Sequence, residues 1–395
     1  MWQRSKNIYH LCKAILASLR FGNPAKDMVV IGVTGTDGKT TTSSLIYHVL
    51  KQSGKKVALI STVSAIIDDK VFDTGFHVST PDSWMLQSYI KKAKEAGCTH
   101  LVLEVTSHGL DQNRVFGIPF AIGVVTNISR EHLDYHHTME KYLEAKAKLL
   151  YMSKVAVLNR DDASYLQMAN GKWQMANKKI ITYGLKENAD VNPQTFPFET
   201  QLLGEFNLYN CLAAISICRE LHIDDEVIQK SILTFIPPRG RMETVYEKEF
   251  TVMIDFAHTP NGITQLLQAL QKGKKGKIIH VFGSAGERDH GKRPLMGKAS
   301  SEYADLIVLT GEDPRNEIVE SINSEIKKGM KKTDNVIEIT DRTEAISYAI
   351  QQAQKNDTVI ITGKGHEKSM NIQGREEAWS DHEAVRKALA TRLSK

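Results

Sequence analysis

Val30-Ile31-Gly32-Val33-Thr34-Gly35-Thr36-Asp37-Gly38-Lys39-Thr40-Thr41 places a glycine-rich turn between a short apolar run and a helix-period stretch. Glycines in such a turn let backbone N–H groups come close to phosphate, and the N-terminus of the following helix favours negative charge. In this reading Gly35, Thr36, Asp37, Gly38, Lys39, Thr40 and Thr41 cradle the phosphates of ATP. Lys39 neutralises their charge and the Thr40 hydroxyl ligates Mg²⁺. An ordinary glycine turn is the competing reading. Val33 stands where the common GxxxxGKS/T loop has glycine, so the loop is a shorter variant. Motor proteins and small GTPases are therefore not supported.

The alternation of apolar runs and helical patterns extends on both sides of this loop. Candidate strands fall at 28–33, 56–61, 100–105, 121–127, 154–159 and 179–183, with helix-period stretches at 41–52, 82–96 and 138–149 between them. The rhythm restarts after Pro237-Pro238-Arg239-Gly240, with strands expected at 251–256, 277–282, 305–310, 335–340 and 357–363. Strand–helix alternation of this kind predicts parallel sheets covered by helices. The fold class expected is α/β, a phosphate-loop parallel-sheet ATPase domain followed by a Rossmann-like α/β domain. The domain limits read from the sequence are 1–27, an amphipathic helical segment, then 28–237 and 238–395.

At 395 residues, two or three domains are allowed. With 41% hydrophobic and 25% charged residues, the composition excludes disorder, collagen-like repeats and disulfide scaffolds. A net charge of +5 suits anionic small molecules and is too weak to imply nucleic acid as a partner. Cys12, Cys98, Cys211 and Cys218 form no CxxC pair, which argues against a zinc site and for a reducing cytoplasm. The N-terminal stretch reads as an amphipathic helix from Ile8 to Leu19, broken by Lys13 and therefore neither a membrane span nor a signal peptide. It is expected to pack on the body or on a partner subunit, and contact with a membrane surface is the lesser alternative.

Glu104 ends one predicted strand, and Asn127, Glu131 and His132 follow the next, so both groups would open on the sheet edge that carries the phosphate loop. A carboxylate and an imidazole beside a triphosphate suit Mg²⁺, which takes few protein ligands. Read singly, His132 would be an interior histidine and Glu104 a cap or salt-bridge acid. His136 and His137 are expected at the surface.

The stretches GTDGKT (35–40), STPD (79–82), EVTSHGLDQNR (104–114), TNISREHLDYH (126–136), EAK (144–146), GEFNLYN (204–210), GRME (240–243), DFAHTP (255–260), GERDHGKRPLMG (286–297), EDPR (312–315) and GKGHE (363–367) together resemble the Mur ligase family. They run in the family's order across nearly all of the chain after residue 28. The resemblance implies an ATP-dependent amide ligase of peptidoglycan synthesis, in which a peptide carboxylate becomes an acyl phosphate and an amino group then displaces the phosphate. It implies that Lys39 and Thr40 hold the γ-phosphate and a first Mg²⁺, and that Glu104, His132 and a carbamylated Lys146 hold a second. Asn207 and Asn210 fall on adenine-contacting positions, and Arg241, Asp255 and His258 on positions that the second domain brings to the nucleotide. Ser79, Thr80, Thr106, Gln112 and Arg114 match residues that grip a UDP-muramoyl peptide. Arg288, Arg315, Gly363 and Glu367 match the pocket for an incoming diamino acid, meso-diaminopimelate in family members that carry this arginine.

Three departures qualify the match. Glu312-Asp313-Pro314-Arg315 replaces the usual DNPR, and an acid at Asp313 favours an amine, which keeps lysine in view. STPD and EVTSH each exchange one hydroxyl residue for another. Only about 27 residues precede the first strand, so the family's N-terminal uridine-diphosphate-binding domain is expected to be missing. That expectation motivates a rival, the same ligation on a non-UDP or lipid-linked cell-wall acceptor. A non-catalytic binding subunit is the third reading, and the presence of Lys39, Glu104, His132 and Lys146 speaks against it. The chain is expected to be a monomer or a weak dimer.

Overall fold

The computed structural model describes residues 2–74, 80–170, 178–186 and 188–394. Two compact units emerge. The first comprises residues up to Ser129, His136–Leu202 and Phe206–Ile236; the second comprises Arg130–Tyr135, Leu203–Glu205 and the chain from Pro237 onward.

In the first unit β1 (Val29–Thr34), β2 (Val57–Ile60), β3 (Ala65–Ile67), β4 (Lys70–Phe72), β5 (His100–Glu104), β6 (Phe120–Val125), β7 (Val155–Asn159) and β8 (Lys179–Tyr183) form one sheet. Its order is β4-β3-β2-β5-β1-β6-β7-β8. The six strands from β2 through β8 in that order are parallel, and β3 and β4 add an antiparallel edge. These strands are almost wholly apolar because both faces of the sheet are covered. Ile31 and Val33 pack with Leu45 and Val49 of the helix Lys39–Gln52 on one face. Val30, Leu101 and Leu103 pack with Leu86 and Ile90 of the helix Ser83–Glu95 on the other. The side-chain period of two thus divides a single strand between two cores.

The second unit repeats the plan. β9 (Glu243–Glu247), β10 (Thr251–Ile254), β11 (Ile278–Phe282), β12 (Leu306–Leu309), β13 (Val336–Glu338) and β14 (Thr358–Ile361) are ordered β13-β12-β11-β14-β10-β9. All pairings are parallel except that of β9, which closes one edge antiparallel. A separate hairpin joins β15 (Ser369–Ile372) to β16 (Arg375–Ala378). Val252, Val281 and Val359 face the helices Arg342–Gln352 and Asp381–Leu393, while Met253, Phe282 and Ile360 face Pro260–Lys272 and Arg293–Tyr303.

Each strand expected from the sequence is present, within about two residues at either end. The helix expected from Thr41 begins at Lys39, because Gly38 at φ +80° serves as its N-cap. The short strands β3, β4, β9, β15 and β16 were not expected. They are antiparallel additions of three to five residues, too short or, outside the apolar β3, too polar to carry a buried-strand signal. The N-terminal helix is longer than its apolar stripe, running Trp2–Phe21, and packs along Ser83–Glu95. Ala14 and Ala17 are buried there, and the Phe21 ring meets Trp84 edge-on at 5.9 Å. His136 is not at the surface: it is buried between the rings of His108 and Tyr142. No helix among the described residues is long and apolar enough to cross a membrane.

Candidate active site

β5, β1 and β6 are neighbours in the first sheet, and their C-terminal ends bring Glu104, the 35–38 loop and Asn127 to one edge. Open α/β sheets bind ligands at this edge. The loop needs its glycines for different reasons. A Cβ at Gly35 would fall 1.8 Å from Thr126 Oγ1, and one at Gly38 would fall 2.3 Å from Asn210 Oδ1. Both residues also have positive φ. The loop is pinned from below: Asp37 N donates to Asn127 Oδ1 at 2.9 Å, and Asn127 Nδ2 and Thr126 Oγ1 donate to Asp37 O at 3.0 and 2.7 Å. Lys39 Nζ reaches back to Thr36 O at 2.7 Å, and Thr36 Oγ1 accepts from Ser129 N at 2.9 Å.

Glu104 is almost wholly buried and gathers three donors. Thr40 Oγ1 and Thr62 N donate to its Oε2 at 3.0 and 3.1 Å, and Thr62 Oγ1 donates to Oε1 at 2.6 Å. Thr40 and Glu104 thus offer a hydroxyl and a carboxylate side by side, a hard-oxygen pair that fits Mg²⁺. Lys146 is buried as well; its ammonium donates to the Gly35 carbonyl and lies 4.6 Å over the Tyr142 ring. In that form it is a donor that braces the loop, since an ammonium has no lone pair to offer a metal. His132, at φ +56°, belongs to the Arg130–Tyr135 segment of the second unit.

Asn210 Nδ2 donates to Asn207 Oδ1 at 2.9 Å, and Thr42 Oγ1 donates to Asn210 Oδ1 at 3.2 Å. The two asparagines therefore meet the phosphate-loop helix rather than open water. Four of the expected acceptor residues also converge. Thr80 Oγ1 lies 3.1 Å from Thr106 Oγ1 and accepts from Thr106 N at 2.9 Å. Arg114 donates to Thr80 O at 2.7 Å and to Gln112 Oε1 at 2.9 Å. Ser79 lies outside the described residues.

In the second unit β12, β11, β14 and β10 are adjacent, and the loops after them carry the remaining candidates apart from Arg241, which precedes β9. Arg241 stacks 4.4 Å over Phe256, and His258 meets the same ring edge-on at 4.7 Å. Asp255 accepts from Met242 N and Ala257 N, both at 2.7 Å, so it fastens this loop. Asp313 accepts from Lys364 Nζ at 2.7 Å and Asn371 N at 2.9 Å, and Glu367 takes a second contact with Lys364 at 2.6 Å. Glu312 is buried against Gly363, where a Cβ would fall 2.2 Å from its Oε2. Burial pushes its carboxyl up to about 7, against the pull of Arg342 and Lys292. Arg315, at φ +52°, donates to Gly286 O at 2.5 Å. Burial and then the positive charge of Arg288 lower its proton affinity, so two guanidiniums share one neighbourhood. Arg288 itself lies 3.7 Å from Asp134.

Several contributing residues gave no signal in the sequence. Thr62 lies in the loop after β2, where its two bonds to Glu104 depend on strand adjacency. Tyr142 reads as one apolar position of a helix, yet its hydroxyl lies 3.0 Å from Thr36 Oγ1. Lys364 and Lys292 are buried cations with charged partners, Lys292 with Glu131 at 3.1 Å. Lys364 and Lys292 lie within the GKGHE and GERDHGKRPLMG stretches, which marks the stretches but not the partners.

Comparison with known families matches the Mur ligase middle domain over residues 33–218 and the Mur ligase glutamate ligase domain over residues 240–365. A UDP-N-acetylmuramoyl-L-alanyl-D-glutamate–2,6-diaminopimelate ligase of Aquifex aeolicus is 40% identical over 387 residues, covering 93% of this chain and 79% of that protein. A solved structure of a ligase of the same name has a TM-score of 0.62 at 35% identity, covering 93% of this chain and 80% of that one. The folylpolyglutamate synthase of Mycobacterium tuberculosis, solved with ADP and AMPPCP, shares the fold with a TM-score of 0.71 at 16% identity, over 98% of this chain and 95% of that one. With identity of this extent spread over both domain matches, the chain belongs to the Mur ligase family.

Proposed function

We propose that the chain is an ATP-dependent ligase that joins 2,6-diaminopimelate to UDP-N-acetylmuramoyl-L-alanyl-D-glutamate in peptidoglycan synthesis. The 40% identity to a ligase of that name over 93% of the chain carries the reading. The geometry supports it at each end. The loop held by Asn127 leads into the N-terminus of the helix Lys39–Gln52, which with the Lys39 ammonium would meet the ATP phosphates. Thr40 would hold a first Mg²⁺ and Glu104 beside it a second, with His132 and a carbamate on Lys146 as the further ligands of the second assigned by family likeness. When bound, the ion neutralises phosphate charge during transfer to the acceptor carboxylate.

The chain itself contributes positioning and electrostatics rather than a nucleophile. Thr80, Thr106, Gln112 and Arg114 orient the acceptor peptide so that its carboxylate approaches the γ-phosphate. Arg241, Asp255 and His258 serve the nucleotide, and Asn207 and Asn210 serve its base. Arg315 and Arg288 receive the distal carboxylate of the diamino acid, because a guanidinium fork reads a carboxylate bidentately. Glu367, Gly363, Glu312 and Asp313 complete that pocket. Asp313 is already neutralised by Lys364, which weakens the argument that it selects a plain amine.

The test is phosphate release from ATP with the UDP-linked dipeptide and a panel of meso-diaminopimelate, lysine and ornithine, run with wild type and Arg315→Ala. Diaminopimelate should be preferred by at least about tenfold, and the variant should lose most of that preference. No turnover of the UDP-linked dipeptide at millimolar concentration with any of the three would sink the reading.

A further inference from the structure

Lys6, His10 and Lys13 follow one another at spacings of four and three along the helix Trp2–Phe21, which puts them in one row. The row runs on into Ala14 and Ala17, which are buried against the helix Ser83–Glu95, so it lies on the side turned toward the body of the unit. Two contacts fix where it lies. Asn7 Nδ2 donates to Asp111 Oδ2 at 3.0 Å, and Lys13 Nζ stands 3.6 Å from Asp82 Oδ2. Asp111 immediately precedes Gln112 and Arg114, and Asp82 follows Thr80 by two residues. The row is therefore tied to both stretches that build the acceptor cluster.

The charges around His10 point the same way. Its proton affinity is lowered first by burial and then by Arg114, Lys13 and Lys6, and Asp82 alone opposes them. Arg114, Lys13 and Lys6 thus all act on one imidazole, and Asn7 and Lys13 of the same helix contact the stretches that carry the Thr80–Arg114 cluster. The acids that face them are already engaged. Asp82 caps its own helix through the N–H groups of Trp84 and Met85, and Asp111 also holds Lys148 at 3.1 Å. The helix itself has no acidic residue to offset its cations. Lys6 is exposed and the Lys13 side chain is 30% exposed, so both are within reach of a bound molecule.

We propose that Lys6, His10, Lys13 and Arg114 form the binding site for the diphosphate of the acceptor. The proposal rests on the ligase reading above and extends it to the part of the acceptor farthest from the reacting carboxylate. A diphosphate carries several oxygens and more than one charge, which matches a row of separate cations better than a single carboxylate would. Neutral His10 donates one hydrogen bond and gains proton affinity when an anion arrives beside it.

The test compares wild type with the double variant Lys6→Ala/Lys13→Ala on two acceptors, the UDP-linked muramoyl dipeptide and the same muramoyl dipeptide without its diphosphate. The KM for the UDP-linked acceptor should rise about tenfold with kcat little changed, as expected for loss of two exposed ionic contacts, and the excess should shrink with added salt. The diphosphate-free acceptor should show less than about a twofold change. Equal changes with both acceptors, or none with either, would overturn the site. Lys91→Ala, a cation on the neighbouring helix paired with Glu95, controls for general charge. Binding is measured separately by calorimetry with UDP-muramoyl dipeptide while an unreactive ATP analogue fills the phosphate loop, and the His10 ring is followed by NMR. Binding that depends on Lys6 and Lys13, with an upward shift of the His10 pKa, upholds the site even if no acceptor turns over, an outcome that would strike only the ligase reading. Binding indifferent to both lysines, with His10 unmoved, removes the site whatever the turnover.

Discussion

At the strand ends of the first unit, the buried carboxylate of Glu104 is held by two hydroxyls and a backbone amide, with no cation bonded to it among these contacts. At the strand ends of the second unit, buried acids meet full positive charges. Arg342 grips Asp381 through Nε and a second nitrogen at 2.8 and 2.9 Å, and Lys364 bridges Asp313 and Glu367. Arg293, itself buried, binds the partly exposed Glu317 at 2.8 Å and Glu325 at 3.0 Å. The difference separates two uses of buried charge. A carboxyl group held by neutral donors alone leaves its oxygens available to a cation that arrives later. An acid already paired with arginine or lysine is spent on holding loops in place. The first arrangement suits a site for Mg²⁺ and phosphate, and the second a rigid frame for selecting an amino acid.

That contrast can be broken in order of effect. Arg342→Ala leaves Asp381 buried without its partner, and urea unfolding should show a loss of about 3–5 kcal/mol, because removing one member of a buried pair strands the other. A loss below about 1 kcal/mol would mean that Asp381 finds water or the Trp379 indole sufficient. Glu104→Gln should do the reverse. The unfolding midpoint should move little, while ligation measured by phosphate release falls roughly 10²–10³-fold, the usual size for a lost electrostatic group. A variant that unfolds early with normal turnover would reassign Glu104 to structure.

Glu312 gives the third test, by pH. Its folded-state carboxyl is raised to about 7 from the usual 4.5, mainly by burial. The folded protein therefore holds that proton where the unfolded chain has released it, and this group's contribution to stability falls as pH rises from about 4.5 to about 7. Glu312→Gln should flatten that part of the stability–pH curve, by about 3–4 kcal/mol at most. An unchanged curve would place the titration elsewhere. The smallest effect expected is that of Tyr142→Phe. It keeps the ring over Lys146 and removes the contact with Thr36, so KM for ATP should rise about fivefold, equivalent to a net hydrogen bond of about 1 kcal/mol. Tyr142→Leu removes the ring as well and should cost more; equal effects would show that the hydroxyl accounts for the whole contribution.

Local pattern made much of this legible. The strands β1, β5 and β6 are short apolar runs bounded by turn residues, and such runs announce themselves when both faces of a sheet are covered. The phosphate loop is legible for a local reason, the positive φ of Gly35 and Gly38, although the side chains that crowd them, Thr126 and Asn210, are distant in sequence. The hairpins were less visible. β3 and β4 turn at Asp68 and Asp69, both at positive φ, and β15 and β16 turn at Gln373 and Gly374. Their strands of three or four residues offer too few positions for a period of two to register. His136 was misread because polarity alone puts histidine outside, whereas two neighbouring rings bury it.

Taken by itself, the sequence determined the two parallel α/β layers, the loop that cradles phosphate and the family to which the chain belongs, because each is written in short contiguous motifs. Only the tertiary structure decided which distant residues become neighbours. It brought Thr62 to Glu104, Tyr142 to Thr36, Lys364 to Asp313, and the Lys6–Lys13 row to the loops around Asp82 and Asp111. The physical reason is that propensity and periodicity act over a few residues, whereas hydrogen bonds and ion pairs are set by which strands and helices lie side by side. Those adjacencies follow from burying the whole apolar surface at once.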